Sequence, residues 1–304
     1  MRLRHLLPTV AALLALGAPA ALPPAAARPA GRNLAAFTGL STWVDGYDFA
    51  RELTARPKVS SGSVAGMKAR GVRTIWLQAA KSSPKVRGDL MSPDRAGAIL
   101  RAAHARGIRV VAWYLPTFHD PAGDWRRLSA LLHFSSAGQR YDGFGVDIED
   151  TRVPVKVRNA RLVALSRQLR RATVRPVAAV VLPPVLTDII HPGYWGGPFP
   201  WRSLRPSYDL WVPMGYYTAY TRWPHWRHAG NATTEDIRRV RAHLGARVPM
   251  AYAGGLAADS SRADLTGFAR AARAQGVLGT SVYDYATTPA WAWPTLRAGA
   301  PPAR

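Results

Sequence analysis

Hydrophobic residues along this chain fall into short runs rich in β-branched and aromatic side chains, separated by stretches with helical spacing. One junction recurs. Lys68-Ala69-Arg70-Gly71 leads into Val72-Arg73-Thr74-Ile75-Trp76, His104-Ala105-Arg106-Gly107 into Ile108-Arg109-Val110-Val111-Ala112-Trp113, and Arg273-Ala274-Gln275-Gly276 into the run ending at Tyr283. Each reads as a helix end, a glycine free to take the left-handed conformation that closes a helix, and then a strand. Ser92-Pro93-Asp94 and Thr234-Glu235-Asp236 carry helix-start signals, a capping hydroxyl followed by an early acid.

Eight strand candidates follow: Phe37–Trp43, Val72–Gln78, Ile108–Tyr114, Gly143–Glu149, Val177–Leu182, Leu210–Met214, Val248–Ala253 and Gly279–Tyr283. Strands alternating with helices demand parallel pairing through right-handed crossovers. The chain therefore predicts an α/β fold, a single (β/α)8 barrel over residues 28–304. An open doubly wound sheet fits less well, because Thr42-Trp43-Val44-Asp45-Gly46 is not a phosphate-binding loop. Between the fifth and sixth strands, Pro183-Pro184 and the run His191–Trp201 replace a clean helix. That stretch is expected to form a long aromatic loop over the barrel mouth.

Residues 1–27 stand outside this pattern. Arg2, Arg4 and His5 precede an Ala/Leu/Val-rich run, and Ala25-Ala26-Ala27 supplies small residues for cleavage, so a secretory signal peptide and an exported mature chain are expected. The run holds Pro8, Gly17 and Pro19 and is short for a span of about 20 apolar residues. No membrane association is expected after cleavage.

Composition narrows the chemistry. The absence of cysteine excludes a disulfide scaffold, a zinc-thiolate fold and a thiol nucleophile. Against 18 Asp+Glu stand 41 Lys+Arg, a net charge of +23, and the only lysines are Lys58, Lys68, Lys81, Lys85 and Lys156. Such a skew to arginine, with abundant Ala, Gly and Pro, reads as the coding bias of a bacterial G+C-rich genome. The arginines are scattered through helices rather than massed in one arm, so no specific nucleic acid is expected as partner. Non-specific attraction to anionic cell-wall polymers is.

Barrel enzymes build their sites at the carboxyl ends of the strands. Those ends supply Trp43 and Asp45, Trp76 and Gln78, Trp113 and Tyr114, then Asp147, Glu149 and Asp150, then Met214, Tyr216 and Tyr217, then Tyr252, and finally Tyr283 and Asp284. Rings around a polar cleft suit sugars, whose C–H faces stack on aromatic surfaces. Within Tyr141–Asp150, strand alternation puts Gly145, Asp147 and Glu149 on one face and Phe144, Val146 and Ile148 on the other. Two buried carboxyls side by side raise one pKa toward the range of a general acid.

Asp142-Gly143-Phe144-Gly145-Val146-Asp147-Ile148-Glu149 resembles the fourth-strand signature of the family 18 glycoside hydrolases, the chitinase-like barrels. Trp211-Val212-Pro213-Met214-Gly215-Tyr216-Tyr217 resembles their sixth-strand element, and Val282-Tyr283 occupies the place of their eighth-strand tryptophan. The resemblance implies that Glu149 protonates the glycosidic oxygen, that Asp147 orients the substrate's N-acetyl group, that Tyr216 hydrogen-bonds the same group, and that Asp142 supports the strand. Gly145 departs from the family by standing where its middle aspartate would be, and Tyr217 by replacing an aspartate.

A count of carboxylates bears on the mechanism. Ordinary retaining glycosidases need a second carboxylate about 5 Å from the acid, and inverting ones a base roughly 6.5–9.5 Å away. The sixth and seventh strands carry no acid, leaving Asp147, Asp45 or Asp284. That shortage favours a nucleophile supplied by the substrate's 2-acetamido oxygen, while inversion through Asp45 or Asp284 stays open.

The sequence thus predicts a secreted glycoside hydrolase acting on β-linked N-acetylhexosamine polysaccharides such as chitin or peptidoglycan. Glu149 and Asp147 are its catalytic pair, and Trp43, Asp45, Trp76, Gln78, Trp113, Asp142, Met214, Tyr216, Tyr217, Tyr283 and Asp284 contact substrate. No metal or cofactor is expected: His225-Trp226-Arg227-His228 lacks acidic partners. The alternatives are a lysozyme-like muramidase barrel and a carbohydrate-binding barrel that has lost turnover.

Overall fold

The computed structural model describes residues 32–302; the expected signal peptide at 1–27 lies outside the described residues. In chain order the elements are β1 (Gly39–Val44), α1 (Gly46–Phe49), α2 (Ser63–Ala69), β2 (Thr74–Leu77), α3 (Pro93–His104), β3 (Arg109–Tyr114), α4 (Pro121–His133), β4 (Gly143–Ile148) and α5 (Val155–Ala172). They continue with β5 (Val177–Val181), α6 (Trp201–Leu204), β6 (Leu210–Pro213), α7 (Pro224–Arg227), α8 (Ala229–Leu244), β7 (Tyr252–Leu256), α9 (Arg262–Ala274), β8 (Gly279–Tyr283) and α10 (Ala292–Gly299). All ladders are parallel, in the order β6-β5-β4-β3-β2-β1-β8-β7. Single bridges from Trp211 to Met250 and from Met214 to Ala253 join the two ends, so the sheet closes into the expected (β/α)8 barrel.

Closure at β6–β7 has a visible physical cost. The seventh strand was expected at Val248–Ala253, yet its regular part runs Tyr252–Leu256. Pro249 has no N–H to give a ladder, so this part of the chain meets β6 only through the single bridge at Met250. Beyond it the strands crowd: a Cβ on Gly255, where φ is +76°, would stand 2.6 Å from the Gly215 carbonyl oxygen, and one on Gly215 would stand 2.1 Å from the Tyr252 hydroxyl. Only glycines permit that approach.

The helix-start signals divide. Ser92 does precede α3, with Pro93 at the first position, but its backbone is left-handed and its hydroxyl donates to Glu52 (2.6 Å) instead of capping the helix. Thr234-Glu235-Asp236 lies inside α8, which begins at Ala229. There the Thr234 hydroxyl bonds back to the Gly230 carbonyl (2.8 Å) and Glu235 pairs with Arg238 and Arg239.

The aromatic stretch between β5 and β6 is not a cover over the mouth. Trp195, 2% exposed, packs under the Arg158 guanidinium at 4.0 Å from its ring centre. Trp201 stacks on His243 of α8 at 4.7 Å and tilts against Trp211 of β6. These rings fill the flank between α5 and α8 that a crossover helix would otherwise occupy. Tyr194 alone among the stretch's aromatic rings lines a cavity at the mouth.

Inside the barrel the floor is aromatic. Trp43 stacks on Trp76 at 4.5 Å, and Trp113 meets Trp43 edge-on at 5.4 Å. Trp76 is fully buried, and its indole N–H donates to the Ser41 hydroxyl (3.3 Å).

Candidate active site

The strand alternation read from the sequence puts Asp147 on the interior face of β4, and Glu149 follows one residue beyond the strand's end. Both open into a cavity of about 270 Å3 at the carboxyl ends of the strands. Trp43, Asp45, Gln78, Trp113, Met214, Tyr216, Ala253 and Tyr283 line it as well, so residues from seven of the eight strands or the loops just after them converge there. A cavity of about 430 Å3 at the amino ends, lined by Gly39, Arg73 and Arg297 among others, has no Asp or Glu among the described residues that line it.

Four predicted site residues lie outside this cavity's lining. Trp76 sits beneath it in the floor. Asp142 precedes β4, at the opposite end of the barrel, where it accepts from the Val110 N–H (2.7 Å) and pairs with His104 (2.9 Å). It supports the strand and cannot reach a substrate at the mouth. Tyr217 is fully buried with its hydroxyl 3.1 Å from Ser260. Asp284, 5% exposed, accepts from the Thr287 backbone (2.8 Å) and hydroxyl (3.1 Å).

Within the cavity the carboxyls differ in freedom. Asp45 caps α1: one oxygen accepts from the Tyr47 and Asp48 amides (2.7 and 3.1 Å), and the other accepts from the Tyr283 hydroxyl. Asp147 is 5% exposed, and its Oδ1 is buried with no hydrogen-bond partner among the described residues. Burial, reinforced by the neighbouring Glu149 charge, pushes the Asp147 carboxyl well above the ordinary aspartate range. Burial also raises Glu149, against the opposing pull of Lys81. A raised carboxyl holds its proton to higher pH, which favours delivery of that proton to a leaving group. Tyr216 shares the cavity, its hydroxyl held only by a weak contact to the Met214 sulfur (3.8 Å) and its proton retained because the ring is buried near both acids.

Gly145 explains the departure from the family pattern. A Cβ at that position would stand 2.7 Å from Trp76 Cζ3 and 3.3 Å from Trp113 Cβ. The room a middle aspartate needs is taken by the tryptophan floor. Asp147 therefore has no acid below it on β4 with which to share a proton.

The sequence reading missed Tyr47, Lys81, Leu115, Ala253 and Gly255, which also line the cavity. Lys81 matters most, as a cation acting on both acids. It lies three residues beyond Gln78, in a loop whose course no periodicity reveals. Gln78 is 2% exposed and accepts from the Gly46 amide (3.1 Å), tying the loops after β1 and β2 together.

No protein-family model and no curated protein sequence matches the chain. Solved structures do. A class V chitinase from Pseudomonas fluorescens Pf-5 aligns with a TM-score of 0.60 at 12% identity, over 86% of this chain and 99% of that one. The endo-1,4-β-D-mannanase of Thermotoga petrophila RKU-1 aligns at 0.61 and 8% identity, over 82% and 88%. The PgaB (BpsB) glycoside hydrolase domain of Bordetella bronchiseptica aligns at 0.56 and 14% identity, over 81% and 94%. Identities this low establish the fold, and the fold of this chain is the (β/α)8 barrel that these chitinase, mannanase and glycoside hydrolase structures share.

Proposed function

We propose that the protein is a glycoside hydrolase that cleaves β-linked N-acetylhexosamine glycans of the chitin or peptidoglycan type, in a substrate-assisted reaction with retention. The carrying observation is the Asp147–Glu149 pair: two raised carboxyls at the mouth of a glycosidase-type barrel, one with a buried oxygen that has no protein partner. In this reading Glu149 gives its proton to the glycosidic oxygen as the C1–O bond breaks. The acetamido oxygen of the same sugar forms the new bond to C1, and Asp147 and Tyr216 hold that acetamido group in line. Glu149, now ionised, takes a proton from the water that attacks C1, and the acetamido oxygen leaves.

The alternative displacement on a sugar without an acetamido group would need a second, free carboxylate across the ring. Asp45 is the one further acid lining this cavity among the described residues, and both of its oxygens are already engaged. That favours an N-acetylated substrate over a neutral hexose polymer. The basic, apolar and small-residue sequence of 1–27 supports export of the mature chain.

The test is release of reducing ends by the chain from residue 28 onward on chitin oligomers and on purified peptidoglycan. Glu149→Gln should lower turnover by at least about a hundredfold. New muramic acid ends would move the assignment to a muramidase. Sugar binding without turnover in the wild type would make the barrel a binding protein, the reading that the Gly145 substitution favours.

A further inference from the structure

The cavity continues past Glu149. A second chamber of about 520 Å3 shares Lys81, Leu115 and Glu149 with the first and extends toward Thr117, Arg152 and Tyr194. A general acid must reach the oxygen that joins two sugar units, so one unit lies on each side of it. Asp147 and Tyr216 lie in the first chamber, which therefore receives the N-acetylated unit. Its neighbour across the scissile bond falls in the second.

Two basic and two acidic side chains line that second chamber. Asp150 belongs to its wall, but its side chain is 4% exposed, whereas Arg152 is 67% exposed. Arg152 holds Asp150 through Nε and Nη2, which leaves Nη1 outside the fork. Lys81 pairs with no carboxylate among the described residues, and its ammonium lies 5.4 Å from the Tyr47 ring centre. Glu149, at the junction, is uncharged in the form that starts the reaction. The chamber thus offers a reacting substrate one unpaired cation, Lys81, and the spare Nη1 donor of Arg152, whose charge Asp150 balances, and the half-exposed Tyr194 ring beside them is a stacking surface for a sugar face.

We propose that the second chamber is a subsite for a saccharide unit bearing a carboxylate, recognised by Lys81 and Arg152. The inference rests on the glycosidase reading for its placement relative to the cleaved bond. Two kinds of glycan carry such a group beside an N-acetylhexosamine: polymers that alternate it with a hexuronate, and polymers that alternate it with a lactyl-substituted amino sugar.

Each kind is assayed in two forms, native and with its carboxyls reduced to alcohols, using the wild type, Lys81→Met, Arg152→Gln and the double variant. Arg152→Gln keeps the backbone N–H that donates to Asp150 (2.9 Å), and thermal melting checks that each variant folds. The wild type is expected to prefer a native form by about tenfold in kcat/KM, carried mainly by KM, which is the order of one charge-assisted hydrogen bond. The preference should shrink in high salt and approach unity in the double variant. The polymer that shows it identifies the source of the carboxylate. Equal rates on native and reduced forms of both polymers would overturn the subsite. If the wild type cleaves none of them, calorimetric binding separates the two ideas. Tighter binding of a native form, lost in the double variant, keeps the subsite and removes the glycosidase reading, and equal binding removes the subsite.

Discussion

Two groups of acids meet at the barrel mouth, and they are chemically opposite. Asp45, Asp48 and Asp284, on the β1 and β8 side, are tied into the local backbone: Asp45 and Asp48 form the capping box of α1, and Asp284 holds Thr287. At the end of β4, Asp147 and Glu149 are also largely hidden from water, yet Asp147 keeps a buried oxygen with no partner among the described residues. Burial raises members of both groups; Asp48 is pushed up to about 7 by burial and by the charges of Asp284 and Asp45. Shifted titration is therefore common to both groups. Unused hydrogen-bonding capacity is what sets Asp147 apart.

Removing each group in turn should expose the difference. The largest effect is expected from Glu149→Gln, at least about a hundredfold in kcat with the melting temperature retained, whereas Asp45→Ala should act on folding, costing about 1 kcal/mol for the lost cap. Reducing-end assays and thermal melts of the two variants check this, and comparable kcat losses with equal stability would erase the distinction. Asp147→Asn should fall between, since the amide keeps the shape but cannot ionise as positive charge develops on the acetamido group.

Gly145→Asp would place the aspartate of the family 18 signature at a site that Trp76 fills. Overpacking should lower stability by roughly 1–3 kcal/mol without raising activity, as measured by denaturant unfolding alongside turnover. A more active, equally stable variant would show that the floor yields.

Smaller effects concern pH. The folded Asp48 holds a proton that an unfolded chain releases, so it favours the fold at acid pH, and that contribution is lost as pH rises through about 7. Asp48→Asn should flatten the fall in unfolding free energy between about pH 4 and pH 7. Lys81 lowers the Glu149 carboxyl, so Lys81→Met should move the alkaline limb of the activity profile to higher pH. An unmoved limb would mean that Lys81 does not sense the acid.

Much of the fold was legible because it rests on local rules. Gly71, Gly107 and Gly276 all take positive φ, from 64° to 87°, at the helix-to-strand junctions that the repeated pattern marked. Seven strands fall within or close to their expected ranges, and the displaced one follows Pro249, where the ladder lacks a donor. Asp147 and Glu149 were legible for the same reason, since alternation along one strand needs no knowledge of the others.

Long-range packing settled the remainder. The sequence shows Asp142 just before the strand that carries Asp147, but only the barrel's direction sends one to the base beside His104 and the other to the mouth. It shows a glycine at position 145, but not that Trp76 from β2 fills its space. It shows aromatic residues from 191 to 201, but not that Arg158 and His243 draw them to the flank. By itself, then, the sequence determined the barrel's periodic frame and the face on which its paired acids stand, because propensity, capping and alternation act over a few neighbouring residues. Tertiary structure alone decided which acids are left without partners, which cations face them and where the cavity opens, because those depend on what distant segments bring into contact.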